Sequence, residues 1–465
     1  MRHPRWLLGL AVALAGCAVG PNYRRPAVAV PDTFRGAAAA PSAASLADRK
    51  WSELFDDEVL RQFIATALAH NFDLAIAAEH VEEARARFQV TASNRYPSLG
   101  AQSGFTASRS SYIGSFPPVA PGESLDASYT QAGGALSWEL DLWGRVRRLT
   151  ESARAQYLAS QEGRRGVMVS LIADVTADYF TLRERDLELE IARGTGDIAE
   201  QSLRLIRLRH DRGAASGLDV HQAEQFLYTA TAQIASAQND IGQTEDALNL
   251  LLGQVPGAVA RGKPVDDFGL PPEVPAGLPS ALLERRPDIR QAEDTLIAAN
   301  AQIGVAKAYY FPQISLTGFM GGQSRSLLDL FTGPARFWNI APSAITPLFS
   351  GGQIRGGVRL SEAQQREMLI AYQKTIYTSF REVSDALIAY RRTREQRQQQ
   401  DRLVHALTET ARLSSLRYQG GLDSYLQVLD AERNLFQGRL ALARLRLGEL
   451  ISFVQLYKAL GGGWQ

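Results

Sequence analysis

The chain is written twice. Arg209-His210-Asp211-Arg212-Gly213, then Leu218, Val220, Ala223 and Glu224, closes at Leu252-Gly253. The same pattern returns as Arg417-Tyr418-Gln419-Gly420-Gly421, Leu426, Val428, Ala431, Glu432 and Leu460-Gly461, every pair 208 positions apart. Trp143-Gly144-Arg145-Val146-Arg147 meets Gly351-Gly352-Gln353-Ile354-Arg355 at that offset too. Tyr96-Pro97 answers Phe311-Pro312, with a loop seven residues longer in the first copy. A tandem duplication is the simple reading, and it requires each structural element to occur in pairs.

Each copy reads helix, two strands, very long helix, tight turn, helix. Proline is absent from 122 to 255 and from 348 to the C-terminus, as long uninterrupted helices require. Helices over 144–212 and 352–419 would each extend roughly 100 Å at 1.5 Å per residue, which suits a coiled coil or a tube. In the last helix Leu426, Leu429, Arg433, Phe436, Leu440, Ala443, Leu447, Leu450, Val454 and Tyr457 follow alternating steps of three and four. That is a heptad seam whose one charged member is Arg433. The first-copy seam (Leu227, Ala230, Ile234, Ala237, Ile241, Leu248, Leu251) uses other positions, so the copies turn different faces to their neighbours.

The strands alternate. Leu136, Trp138 and Leu140 oppose Ser137, Glu139 and Asp141; Ile314, Leu316 and Met320 oppose Gln313, Ser315 and Thr317. Segment 96–109 fits moderately, and 337–349 poorly because Pro342 and Pro347 interrupt it. Tyr96, Tyr112, Trp138, Trp143, Tyr309, Tyr310 and Trp338 cluster near strand ends, as interfacial aromatics would. A soluble amphipathic sheet gives the same alternation. If the strands do span a membrane, four cannot close a barrel, whose smallest members have about eight. Two chains would give eight strands and three would give twelve.

The N-terminus sets the compartment. Arg2 and Arg5 precede an apolar run, Trp6 to Gly16, about half the ~20 residues of a spanning helix, so 1–16 reads as a secretory signal. Leu14-Ala15-Gly16-Cys17 matches the lipobox of bacterial lipoproteins, which implies cleavage before Cys17 and its acylation. Ala18 follows where an Asp would favour inner-membrane retention, so the outer membrane is expected. Cys17 is the sole cysteine, which excludes disulfides within the chain and cysteine zinc sites. The expected organisation is a lipidated strap over 17–50, a first repeat over 51–253, a Pro-rich linker and strap over 254–287, and a second repeat over 288–465. Loops 110–127 and 321–336 would face outside the cell.

No catalytic constellation is visible. The six histidines, at 3, 70, 80, 210, 221 and 405, show no metal-binding spacing. Gly194-Thr195-Gly196-Asp197-Ile198-Ala199 matches a dinucleotide fingerprint, but helix precedes it where a strand is needed, so it reads as a local irregularity. No cofactor is expected, and no metal site. A net charge of +1 gives no nucleic-acid footprint. Four methionines, at 1, 168, 320 and 368, make no relay for copper or silver. A periplasmic enzyme would need a pocket of convergent titratable groups, and a coiled-coil scaffold would leave the strands and lipobox unexplained.

Three motifs carry a family resemblance: Cys17-Ala18-Val19-Gly20-Pro21-Asn22-Tyr23, Leu278-Pro279-Ser280-Ala281-Leu282-Leu283-Glu284-Arg285-Arg286-Pro287-Asp288-Ile289, and Ser424-Tyr425-Leu426-Gln427-Val428-Leu429-Asp430-Ala431-Glu432-Arg433. Over nearly its whole length the chain resembles the NodT-type outer-membrane efflux lipoproteins, relatives of TolC and OprM. The resemblance implies a mixed α and β fold, a TolC-like trimer. Its shared twelve-stranded transmembrane β-barrel takes four strands per chain and continues as a periplasmic α-helical barrel with an equatorial belt. It implies a passive duct, not an enzyme, whose partners are a periplasmic adaptor protein and an inner-membrane resistance-nodulation-division pump. A TolC-like duct for a secretion system is the alternative.

Two sites follow. The hairpin turns, with Gly213, Ser216, Gly217, Leu218 and Val220 in one and Gly420, Gly421, Ser424 and Tyr425 in the other, would meet the adaptor, as in the resembling family. Leu426, Asp430 and Arg433, at i, i+4 and i+7, share a helix face. Their first-copy counterparts Leu218, Gln222 and Gln225 carry no charge. Three copies of Leu426 and Asp430 would form successive rings at a periplasmic gate, with Arg433 pairing with a neighbouring chain's carboxylate.

Overall fold

The computed structural model describes residues 18–37, 44–113, 124–271 and 274–464. Cys17 and the signal segment lie outside the described residues, as does most of loop 110–127. The principal elements are α1 (Glu58–His70), α2 (Phe72–Ser93), β1 (Ser98–Arg109), β2 (Asp126–Leu140), α3 (Arg145–Asp211) and α4 (Gly217–Leu251). They continue with α5 (Pro287–Ala308), β3 (Gln313–Ser324), β4 (Arg336–Ile345), α6 (Gln353–Gln419) and α7 (Tyr425–Ala459). α3 and α6 are 67 residues each, α4 and α7 are 35 each, and every bound of the second pair lies 208 past the first.

Local chemistry explains the ends. Asp141, just past β2, accepts from the Val146 and Arg147 amides at 3.0 and 2.8 Å and caps α3. Asn71 separates α1 from α2, accepting from the Leu74 amide at 2.9 Å while its amide donates to the Leu251 carbonyl at 3.0 Å. The dinucleotide-like glycines do not disturb α3, which is continuous through 194–196, so the expected irregularity is absent. Gly194 and Gly196 cost helix propensity there, but packing along so long a helix overrides it.

The structure divides into two units, and each draws on both halves of the sequence. Among the described residues, one takes those within 18–26, 82–159 and 292–372; the other takes those within 27–81, 160–291 and 373–464. The first holds a four-stranded antiparallel sheet, ordered β1-β2-β3-β4. Its register puts like beside like. Leu99, Leu136, Gly318 and Ile340 form one row, Trp138, Leu316 and Pro342 the next, and Leu140 and Ile314 the next, all on one face. The opposite face has Ser98, Ser137 and Thr317, then Glu139, Ser315 and Ser343, the last two joined at 2.7 Å through their hydroxyls. Segment 337–349, read as a poor strand, supplies β4, and Pro342 is accommodated because β4 is an edge of this sheet.

The N-terminal motif is fastened to this unit. The Val19 amide donates to the Trp143 carbonyl at 3.0 Å, and Arg148 reaches the Gly20 carbonyl and Asn22 side chain at 3.3 and 2.7 Å. Gly20, at φ 101°, lies so close to α5 that an added Cβ would stand 2.4 Å from the Gly304 Cα. Tyr23 and Arg25 both donate to Glu293 of α5, at 3.0 and 2.6 Å.

The second unit is helical. Phe55, Phe180, Phe268 and Phe453 meet edge-to-face, with ring centroids 4.9 to 6.3 Å apart. Beside them Asp57, 2% exposed, caps α1 and accepts the Tyr179 hydroxyl at 2.6 Å and the Lys263 amide at 2.9 Å.

Candidate functional site at the hairpin tips

Both tips lie in the helical unit and are built alike. α3 ends with the Ala214 amide on the Arg209 carbonyl and the Gly213 amide on the His210 carbonyl, both 2.8 Å. α6 repeats this with Leu422 on Arg417 at 2.9 Å and Gly421 on Tyr418 at 3.0 Å. Gly213 and Gly421 have φ of 73° and 72°, the left-handed conformation that this helix ending needs.

The turns then diverge. In the first, Ser216 and Asp219 cap α4 reciprocally: the Asp219 amide donates to the Ser216 hydroxyl at 3.1 Å, and the Ser216 amide to the Asp219 carboxylate at 2.9 Å. In the second, position 427 is Gln, and Ser424 makes no such cap. Asp423 instead takes two hydrogen bonds from Arg417, at 2.5 and 3.2 Å, which hold its carboxyl below the usual range. Arg209, the first-copy equivalent of Arg417, has Ala215 where Asp423 would be, and lies 4.6 Å over the Tyr418 ring.

Gly213, Ser216, Gly217, Leu218, Gly420, Gly421 and Ser424 are exposed, and Val220 is half-buried. Tyr425 is not a contact residue on the surface. It is 4% exposed and packs with Ala199, Leu203, Ile206, Phe226 and Leu429, its hydroxyl 3.1 Å from that of Ser202. As the first residue of α7 it faces back across the helix pair, so it supports the tip from within. Leu422, passed over in the sequence, is 69% exposed beside Gly421, and Leu218 is 66% exposed. The two tips therefore present an apolar residue each. The signal for Leu422 was its place directly after the left-handed glycine.

Leu426, Asp430 and Arg433 all lie exposed on α7, as their spacing requires. The Asn434 side-chain amide donates to Asp430 at 3.2 Å. Arg433 has no carboxylate in ion-pairing reach among the described residues, so an Asp430–Arg433 pair within the chain does not form. The expected heptad seam is not packed along its whole length. Leu429, Phe436, Leu440, Ala443, Leu450, Val454 and Tyr457 are buried, but Leu426 and Arg433 lie outside the packed stripe. A straight helix drifts by ~20° per heptad against a repeat of 3.5, which rotates the tip end of the pattern outward. Among the described residues no group of three His, Cys, Asp or Glu could hold a metal ion.

The architecture matches proteins already known. The sequence profile of the Outer membrane efflux protein family matches residues 63–254 and 278–462. The chain is 38% identical over 467 residues to the toluene efflux pump outer membrane protein TtgC of Pseudomonas putida, covering 98% of this chain and 96% of that one. It is 35% identical over 459 residues to the cation efflux system protein CusC of Escherichia coli, covering 98% of both. Among solved structures it is similar to the open state of the Neisseria gonorrhoeae MtrE outer membrane channel, with a TM-score of 0.86 and 31% identity over 97% of this chain and 99% of that one. Two copies of one helix-strand-strand-helix-helix unit, a four-stranded sheet and paired glycine-turned tips are thus the single-chain form of a transport duct, and this chain belongs to the outer membrane efflux protein family.

Proposed function

We propose that three copies of this chain close a twelve-stranded barrel in the outer membrane and serve as the exit duct of a tripartite efflux pump. An inner-membrane resistance-nodulation-division transporter would supply the energy, and a periplasmic adaptor would meet the tips. The observation that carries this is the sheet: four strands, one apolar face, and β1 exposed along all twelve residues with an unpaired edge. An edge of that kind is not tolerated in lipid, so several chains must complete one barrel. The relatives are named for toluene and for cations. The duct therefore passes what the pump selects, and cargo choice is assigned to the pump. Native mass spectrometry of detergent-extracted protein should give a trimer; a monomer that inserts and conducts would overturn the proposal.

The same reading includes a lipid anchor at Cys17. Ala18, the next residue, packs against Gly144 just past the end of β2, and this closeness to the sheet's end supports the anchor reading. Several acyl chains there would add firm anchoring to the barrel's own. Metabolic palmitate labelling should mark the wild type and miss Cys17→Ser; label on the variant would refute the anchor.

A further inference from the structure

Glu184 lies within α3 with no exposed surface, and neither carboxylate oxygen has a hydrogen-bond donor among the described residues. Glu188 lies one turn on, is 1% exposed, and its charge acts on Glu184. Two guanidinium groups serve this pair unevenly. Arg185 binds Glu188 at 2.8 Å but stands 3.6 Å from Glu184. Arg444, from α7, donates to Glu188 at 2.8 Å. From α4, Asp240 draws on Arg185 as well. Three carboxylates therefore face two cations, and Glu184 receives the least. A buried carboxyl left without donors takes up a proton rather than keep its charge. Once protonated it carries no charge that needs an answer.

We propose that Glu184 keeps a proton inside the helical unit, and that its loss weakens the packing of α7 on α3. Burial first, then the charge of Glu188, pushes the Glu184 carboxyl up to about 7 from an ordinary 4.5. The folded chain thus binds more protons than the unfolded chain between those values. Stability is full below the lower value, falls as pH rises, and the loss is complete above the upper one. α3 belongs to the first hairpin and α7 to the second, and Arg444 with Glu188 ties the two at this level. Above neutrality the buried Glu184 charge stands without a hydrogen-bond donor beside that tie. The functional consequence, easier separation of the hairpins in an alkaline periplasm, rests on the duct reading; the buried proton does not.

The test uses full-length protein in detergent, from about pH 5 to about pH 9. In the wild type the infrared carbonyl stretch of a protonated carboxyl should persist to near neutrality and then vanish, and the thermal midpoint should fall over the same interval. Glu184→Gln, which keeps the side chain's size and neutrality without a titrating proton, should lack that band and lose the slope. A wild type with no protonated carboxyl above about pH 6, or a variant with the wild-type slope, overturns the proposal. If the variant does not fold, the wild-type infrared titration decides alone. Failure of the duct reading would show separately, as unaltered drug susceptibility on deleting the chain.

Discussion

Asp430 and Arg433 face solvent on α7 with their charges unanswered by each other. An exposed ion pair between chains is worth little, of order 0–1 kcal/mol, so three such pairs would close a gate that adaptor contact could open. Removing both charges with Asp430→Ala and Arg433→Ala should raise open probability in planar bilayers; a correctly assembled trimer with unchanged closed-state behaviour would rule the gate out. Asp57 shows the opposite case, a charge fully answered. Burial pushes its carboxyl up, but Tyr179 and the amides of Lys263, Leu60 and Val59 offset this, and the net direction is down. Its contribution is present above the unfolded value near 3.8 and lost as pH falls through the lower folded one. Asp57→Ala should cost about 3 kcal/mol, because it strands buried donors as well as the cap. A change under about 0.5 kcal/mol in denaturant unfolding, the range of an indifferent surface site, would contradict this. That Leu426, Asp430 and Arg433 share one helix face was legible, because spacing alone puts them there. Asp57 and Glu184 were not, since what distinguishes them is burial by segments distant in sequence.

Helices were the most legible elements. Their lengths follow from absent proline and a repeated pattern, and the glycine at each long helix's end marks the turn. β4 fitted poorly in the sequence because Pro342 argues against a strand in general but not against an edge strand, and edge position is a property of the sheet. Tyr425 was misplaced for a related reason: proximity to a turn does not tell which way a first-turn side chain faces. The tips themselves yield a sharper test than their composition suggested. Ser216 caps α4, so replacing it would cost about 1 kcal/mol and confuse docking with folding. Gly217 makes no such bond, and the nearest atom an added Cβ would meet is 3.9 Å away. Gly217→Trp should therefore lower drug resistance several-fold at unchanged trimer levels in the membrane. Loss of the protein in step with resistance would make the tip a structural turn only.

For the whole molecule the open question in the sequence was whether the alternating strands face lipid or water. The register settles which residues share a face: Leu99, Leu136 and Ile340 on one side, Ser98, Ser137 and Thr317 on the other. It also shows why four strands are not self-sufficient, because β1 and β4 are both edges. The two environments predict opposite outcomes for one substitution. Leu99 is 80% exposed in the single chain. If that face met water, Leu99→Arg would be nearly neutral, within about 0.5 kcal/mol, as most exposed surface changes are. If it meets lipid, the same change costs up to ~2–4 kcal/mol per chain near the membrane midplane, and a trimer bears it three times. Thr317→Arg provides the control, since its side chain is also exposed but belongs to the polar face, where a barrel has water. The expected result is loss of outer-membrane trimer for Leu99→Arg and wild-type levels for Thr317→Arg, measured by quantitative blotting of membrane fractions. Equal tolerance of both would return the sheet to an aqueous setting and remove the physical ground for a shared barrel.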